Sequence, residues 1–372
     1  MGIRYSTPAP PTEPWPQYVD LDTTASMKEP IQAKVTGTIP RWVSGSLYRN
    51  GSGIFKMGQD RFPCLFDGYA VIHRWSIQDG SVTYMSTALD SELYKKAVKH
   101  NRLVGEGIGA SFPDPCKTIF NSFFSYFMPY IDYDNSYISM FERGDKLFAL
   151  AENTIVHEVD RKTLKSDRKR NVDKVLAVHS GTAHPHIDRE GNMYYYGTNP
   201  NNLNKLYNFV KVPPAKKGED QFANAEIVAS LPSRWKLNIG YAHSFGMTEN
   251  FFIHFEQPLA LNVPRMLCMG LLGAGLESTL VNYTSEPIQI HVVNRHTGER
   301  VPIKYIAPHG FIFHFINCYE DSGFVVVDVV WNNSTSPIKD FYIDQLMNAQ
   351  KHKFPLDTGF ARFVLPLSVQ GI

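Results

Sequence analysis

GDKLFALAE, residues 144–152, reads as a tight turn at Gly144-Asp145 followed by an apolar strand that ends on an acid, Glu152. Two later stretches repeat the pattern, ENFFIHFE (249–256) and SGFVVVD (322–328). A turn carrying Gly or Asn, then a short aromatic or β-branched run, is the signature of antiparallel hairpins. Around these three the chain is a succession of such runs. SLYRNG (46–51) is followed by YAVIHRW (69–75), joined to SVTYMST (81–87) across QDG. TIVHEVD (154–160), NMYYYGT (192–198) after DREG, and IQIHVVN (288–294) joined to VPIKYI (301–306) across RHTGE continue the series. Helical patterns are confined to 88–103, 116–127 and 339–352. Hairpins over most of 372 residues, with no obvious linker, predict an all-β chain, and the weak repeat favours a β-propeller over a sandwich. At about 40–50 residues per blade the chain would hold about six blades, or about five with large insertions. Residues 1–30 read as an extended N-terminal arm and 31–372 as a single domain.

Bulk composition excludes some classes of function. Hydrophobic residues make up 43% and charged residues 20%, as in a globular protein. A formal net charge of +1 argues against nucleic acid as the main partner, because phosphate binding needs a concentrated basic face. The one basic run, Arg161 to Lys174, is interspersed with Asp160, Asp167 and Asp173 and reads as a solvated turn region. Cys64, Cys116, Cys268 and Cys318 are too scattered for a zinc ribbon or disulfide framework, which fits a reducing compartment. The proline-rich N-terminus has no apolar signal core, and no uncharged apolar run approaches the ~20 residues of a spanning helix. A cytoplasmic protein with no obligate protein partner evident is the expectation.

Of the 13 histidines, most have bland contexts: alternating strands (His73, His157, His291), polar helical stretches (His100, His352) or turns (His179, His296). His184, His243 and His314 differ, lying in TAHPH, YAHSFG and FIFHFIN among small, aromatic and amide residues. A propeller brings the inner strands of its blades to a common axis, where such residues can meet. Neutral imidazoles suit Fe, Zn, Cu or Ni, and an all-nitrogen set with open positions suits a redox metal that binds oxygen. Singly, each reads better as a buried structural histidine than as a ligand.

Several motifs, in order, give the chain a family likeness. They are GTIPRWVSGSLYRNGSGIF (37–55), FDGYAVIHRW (66–75), PDPCKTIF (113–120), TAHPHID (182–188), YAHSFGMT (241–248), FEQPL (255–259), FHFINCYED (313–321) and RFVLPL (362–367). The chain thereby resembles the carotenoid cleavage oxygenases, most closely the animal branch that includes retinoid isomerohydrolases. Ser52 stands where that family usually has proline. The resemblance implies a seven-bladed β-propeller with a helical dome over the top face, and Fe(2+) on the axis held by four histidines. His184, His243 and His314 match the first three, His186 becomes a supporting residue, and Glu152 matches a glutamate that hydrogen-bonds a ligand histidine. The family's fourth histidine lies beyond RFVLPL and has no counterpart here. On that reading the chain is a fragment with the last blade or blades missing, binding iron weakly or not at all, poorly stable and inactive by itself.

The implied reaction of the full protein is dioxygenase cleavage of a conjugated double bond in a carotenoid, β-carotene or a xanthophyll. It would use O2 and yield retinal-type aldehydes, with or without coupled isomerisation. The alternatives are a retinoid isomerohydrolase acting on retinyl esters and a non-catalytic carotenoid-binding propeller. A carotenoid must be drawn from a membrane, so peripheral membrane contact, at the endoplasmic reticulum, is expected. Candidates for it are Cys116, Phe123 and Phe124 in PDPCKTIFNSFFSYFMPY (113–130), Met266 and Leu267 in VPRMLCMGLLGAGL (263–276), and Trp235 with Leu237. In the family's retinoid isomerohydrolase the matching cysteine is palmitoylated, which makes Cys116 an acylation candidate.

Overall fold

The structure, a computed structural model, describes residues 26–27, 29–112, 133–199, 205–266, 274–334, 337–347 and 358–368. Cys116, Phe123, Phe124, Leu267 and the 116–127 helix of the sequence reading lie outside these residues.

Turn chemistry sets the local structure. In the QDG turn Asp79 and Gly80 both take positive φ (51° and 78°), closing the pairing of Gln78 with Ser81. Ser322 and Gly323 do the same (50° and 83°) between Asp321 and Phe324, and Gly144 (57°) turns the chain between Arg143 and Lys146. Two of the three stretches with the opening pattern, 144–152 and 322–328, thus enter a strand directly from a positive-φ turn.

Among the described residues there are six antiparallel sheets of three or more strands; four of them each occupy one stretch of the chain, while the strands of the fourth and fifth are interleaved between residues 238 and 307. The first holds Ile31–Gln32, Ser81–Ala88, Tyr69–Gln78 and Gly45–Ile54, and the second Ser139–Arg143, Lys146–Leu150, Ile155–Val159 and Ser166–Asn171. The third holds Ser180–Gly181, His186–Ile187, Met193–Asn199, Leu206–Val212 and Glu226–Pro232. Asn238–Gly240, Leu259–Asn262 and Leu280–Asn282 form the fourth; Gly246–Met247, Phe251–Glu256, Ile288–Asn294 and Tyr305–Ala307 form the fifth. Phe311–Asp321, Phe324–Asn332 and Thr358–Pro366 form the sixth.

The core lies between consecutive sheets. Ile72 and Met85 of the first meet Leu147 and Ala149 of the second, and Phe148 and Leu150 on the second's other face meet Tyr195 and Val210 of the third. Tyr196 and Phe209 then pack on Leu261 of the fourth and Phe252 of the fifth, and Ile253 and Ile290 on Val327, Trp331 and Phe363 of the sixth. Middle strands are covered on both faces, so Phe251–Glu256 is buried almost throughout despite its alternating sequence. That burial encloses His254 and Glu256; Glu256 accepts from Tyr207 Oη (2.9 Å) and the Arg234 amide (2.9 Å).

Polar side chains tie the sheets where apolar packing gives no direction. Buried Asn135 accepts the Ala70 amide (2.8 Å) and donates to the Gly68 carbonyl (2.9 Å) of the first sheet's central segment. Asn135→Ala leaves both groups unpaired and is expected to cost about 2–4 kcal/mol, read as a lower denaturation midpoint with unchanged slope.

Two helix expectations are trimmed. Within 88–103 the helix is Glu92–His100, capped by Ser91 Oγ on the Tyr94 amide and by left-handed Asn101; Ala88 belongs to the preceding strand. The buried Asp134 carboxylate accepts the first amides of this helix, Glu92 (2.8 Å) and Leu93 (3.2 Å). The described part of 339–352 is two short helices, Pro337–Asp340 and Ile343–Met347. Phe341 and Tyr342 leave the helical path because Leu65 donates to the Phe341 carbonyl and Ile343 to that of Pro63 (2.9 and 2.8 Å).

Candidate metal centre

The ladder of hydrogen bonds is interrupted at each of the three singled-out histidines. His184 lies between the short strands Ser180–Gly181 and His186–Ile187, and His243 between Asn238–Gly240 and Gly246–Met247. His314 sits in the long strand Phe311–Asp321 at a register shift: Ile312 pairs Trp331 while Phe315 pairs Val329. An extra residue there is a bulge, a device that re-aims a side chain.

These irregularities bring the three imidazoles together. One ring nitrogen from each lies within 4.8 Å of the others, and ring centroids are 4.8–4.9 Å apart. His184 Nε2 and His243 Nε2 face each other at 3.0 Å. Two nitrogens bound at right angles on one metal, with bonds of about 2.1 Å, would sit about 3.0 Å apart, so the spacing fits a shared ion. Among the described residues this is the only grouping of three or more His, Cys, Asp or Glu able to hold one.

Protonation favours the same reading. Burial, then the neighbouring His243, His314 and His186, push His184 down to about 3. Burial and His243 lower His314 to about 4, although its side chain is the most exposed of the three. Both therefore stay neutral, the form that binds metals. Unfolded, each would protonate near the ordinary histidine value of 6.5. Below that value the unfolded chain binds more protons than the folded one, so stability falls as pH falls, down to the folded values. The metal-free protein is expected to melt at a lower temperature at about pH 5 than at about pH 7.5. A flat thermal profile over that interval would contradict the neutral assignment.

Glu152 lies just past its strand and accepts from His243 Nδ1 (2.7 Å) and Tyr241 Oη (2.8 Å). Holding the Nδ1 proton leaves the Nε2 lone pair free for an ion. His186 does not join the cluster: its Nε2 donates to the Phe245 carbonyl (3.0 Å) and its ring packs edge-on to Phe245. A cavity of about 270 Å³ borders the cluster, lined by His184, His314, Ser139, Ser244, Phe245 and Phe315 among others. On another side Phe313 packs against His243, Tyr241 and Phe66. Tyr241 was the residue at this site without a sequence signal, since a lone tyrosine beside a histidine has many readings.

Of the membrane candidates that are described, Met266 is half-buried against the core between the third and fifth sheets. Trp235 is sandwiched by Tyr283 (4.9 Å, interplanar 8°) and the Arg234 guanidinium (4.2 Å), while neighbouring Leu237 is 67% exposed. No helix among the described residues is long and apolar enough to cross a membrane.

The retinal pigment epithelial membrane protein family model matches residues 21–371. Mouse β,β-carotene 15,15'-dioxygenase is 35% identical over 352 residues, covering 92% of this chain and 62% of the relative. Drosophila melanogaster carotenoid isomerooxygenase is 35% identical over 343 residues, 91% of this chain and 55% of its own length. The chain thus spans about three fifths of the length of these relatives. Among solved structures, a variant of Synechocystis apocarotenoid oxygenase shares the fold at TM-score 0.71 and 20% identity, covering 92% of this chain and 69% of that one. A cobalt-substituted form of that enzyme matches at TM-score 0.65 and 22% identity, over 84% and 63%.

Proposed function

Because this chain belongs to the retinal pigment epithelial membrane protein family of carotenoid oxygenases, we propose that it supplies the iron-binding, polyene-cleaving part of a carotenoid dioxygenase. The observation that carries the proposal is the three-imidazole cluster with Glu152 on His243. We read the sheets as blades of a seven-bladed propeller, a reading supported by their antiparallel strands and by the packing of sheet on sheet from the first to the sixth.

In this reading His184, His243 and His314 would hold Fe(II) through their ring nitrogens, beside the cavity that His184 and His314 line. Fe(II) bound there supplies the one-electron chemistry that lets O2 react with a closed-shell polyene. One O2 and one C=C bond become two carbonyl groups, so no proton is gained or lost and no acid or base is required. That agrees with a site where Glu152, the carboxylate that meets the cluster among the described residues, is already committed to His243 and Tyr241. Phe313, Tyr241 and Phe66 form an aromatic wall beside His243 that would hold a conjugated chain by its faces and exclude water. Fe(II) is readily oxidised by air, so loading calls for excess Fe(II) without air.

The test is product analysis. Since three ligands and their glutamate are assembled, we infer, against the expectation of an inactive fragment, that protein loaded with Fe(II) and given β-carotene in detergent micelles with O2 yields retinal-type aldehydes. Formation of 11-cis-retinol from an all-trans retinyl ester instead would assign it as an isomerohydrolase. Saturable carotenoid binding with neither product would leave a binding protein.

Substrate of this kind resides in membranes, and we place a peripheral contact at Leu237, exposed beside the Trp235–Tyr283 stack. Leu237→Glu is expected to reduce co-flotation with phosphatidylcholine vesicles several-fold, since burying a leucine is worth about 2 kcal/mol. Undiminished flotation would remove Leu237 from that surface.

A further inference from the structure

Each histidine of the cluster lies where the strand ladder fails, so a main-chain carbonyl there needs another partner. In all three cases a hydroxyl from an earlier segment of the chain provides it. Ser139 Oγ, on the second sheet, donates to the Ala183 carbonyl (2.5 Å), one residue before His184. Thr182 Oγ1 donates to the carbonyl of His243 itself (2.8 Å), and also accepts the His184 amide (3.0 Å). Ser244 Oγ donates to the Phe313 carbonyl (2.5 Å), one residue before His314. Partners in these bonds are 44, 61 and 69 residues apart, so each links distant segments and none is a local turn contact.

We propose that Ser139, Thr182 and Ser244 are positioning residues, three hydroxyl clasps that set the mutual placement of the imidazoles; this rests on the metal-site reading above. The apolar cores between the sheets hold them together but are non-directional and tolerate sliding. A metal site tolerates errors of only about 0.5 Å. A hydrogen bond at the residue that carries or precedes the ligand removes that freedom where it matters. Thr182 is the centre of the series: it is buried, and it grips His184 by the amide and His243 by the carbonyl, the two histidines whose nitrogens already stand 3.0 Å apart. Ser139 and Ser244 border the cavity, where a purely structural hydroxyl could be satisfied by water.

The experiment uses Co(II) as the probe, since its visible absorption bands report ligand geometry without any turnover. Thr182→Val, nearly isosteric and lacking the donor, is expected to shift those bands and weaken Co(II) binding about tenfold or more, in the range seen for lost outer partners of metal ligands. Thr182→Ser, which keeps the hydroxyl, is expected to restore both. Ser139→Ala and Ser244→Ala are expected to act in the same direction and carry the test should Thr182→Val fail to fold. Variants that melt earlier yet bind Co(II) with the affinity and spectrum of the parent would overturn the clasp role and leave these hydroxyls as simple carbonyl partners. A parent protein that binds no Co(II) would overturn the metal-site reading itself.

Discussion

His184→Ala is expected to weaken Fe(II) or Co(II) binding by at least about 100-fold and to abolish polyene cleavage. Loss of a ligand must exceed the 10–100-fold cost typical of losing an outer hydrogen-bond partner. His184 faces His243 Nε2 directly at 3.0 Å, so removing it leaves two imidazoles and takes away the pair whose spacing fits a shared ion. His184 is only partly buried, so the metal-free protein is expected to lose little stability. Equilibrium dialysis against Co(II), beside a thermal melt without metal, separates the two effects. Unchanged affinity would mean that the cluster is a structural packing of histidines.

Glu152→Ala is the second large effect, an expected 10–100-fold loss of metal affinity with Glu152→Gln intermediate. The carboxylate takes the Nδ1 proton of His243 and so decides which nitrogen presents its lone pair. Glutamine keeps a carbonyl acceptor but loses the charge that makes the imidazole a better donor. The Glu152 main-chain carbonyl, which accepts from the Gly181 amide and Ser180 Oγ, is untouched by either change, so folding is not at issue in the comparison. Competition between the protein and a coloured chelator for Co(II) gives the ranking: parent, then Gln, then Ala. Equal affinities would show that Tyr241 and packing alone orient His243.

These expectations divide along what is local and what is not. Turn residues with positive φ, such as Asp79-Gly80 and Ser322-Gly323, and the strands beside them are written in a few adjacent positions, and the all-β class followed from them. The histidines could be picked out by their neighbours, and the family motifs ranked them above the other ten. Their convergence could not be read, because it depends on the bulge at Phe313–His314 and on how sheets distant in sequence stack. The bond between Glu152 and His243 spans 91 residues, and those made by Ser139, Thr182 and Ser244 span 44, 61 and 69. Serine and threonine are too common for such a role to leave a pattern. Burial was also misleading where sheets cover both faces of a strand: FFIHFE alternates like a half-exposed strand, yet encloses His254 and Glu256. The 339–352 helix was trimmed because backbone pairing with residues 63–65 outweighed helix propensity at Phe341-Tyr342.

X-ray absorption at the iron edge of protein loaded with Fe(II) in the absence of air tests the central claim most directly. The account predicts three imidazole nitrogens at about 2.1 Å, with the outer-ring scattering that imidazoles give, the remaining positions being oxygen from solvent. A spectrum fitted by oxygen donors alone, or protein that retains no iron at saturating Fe(II), would contradict it.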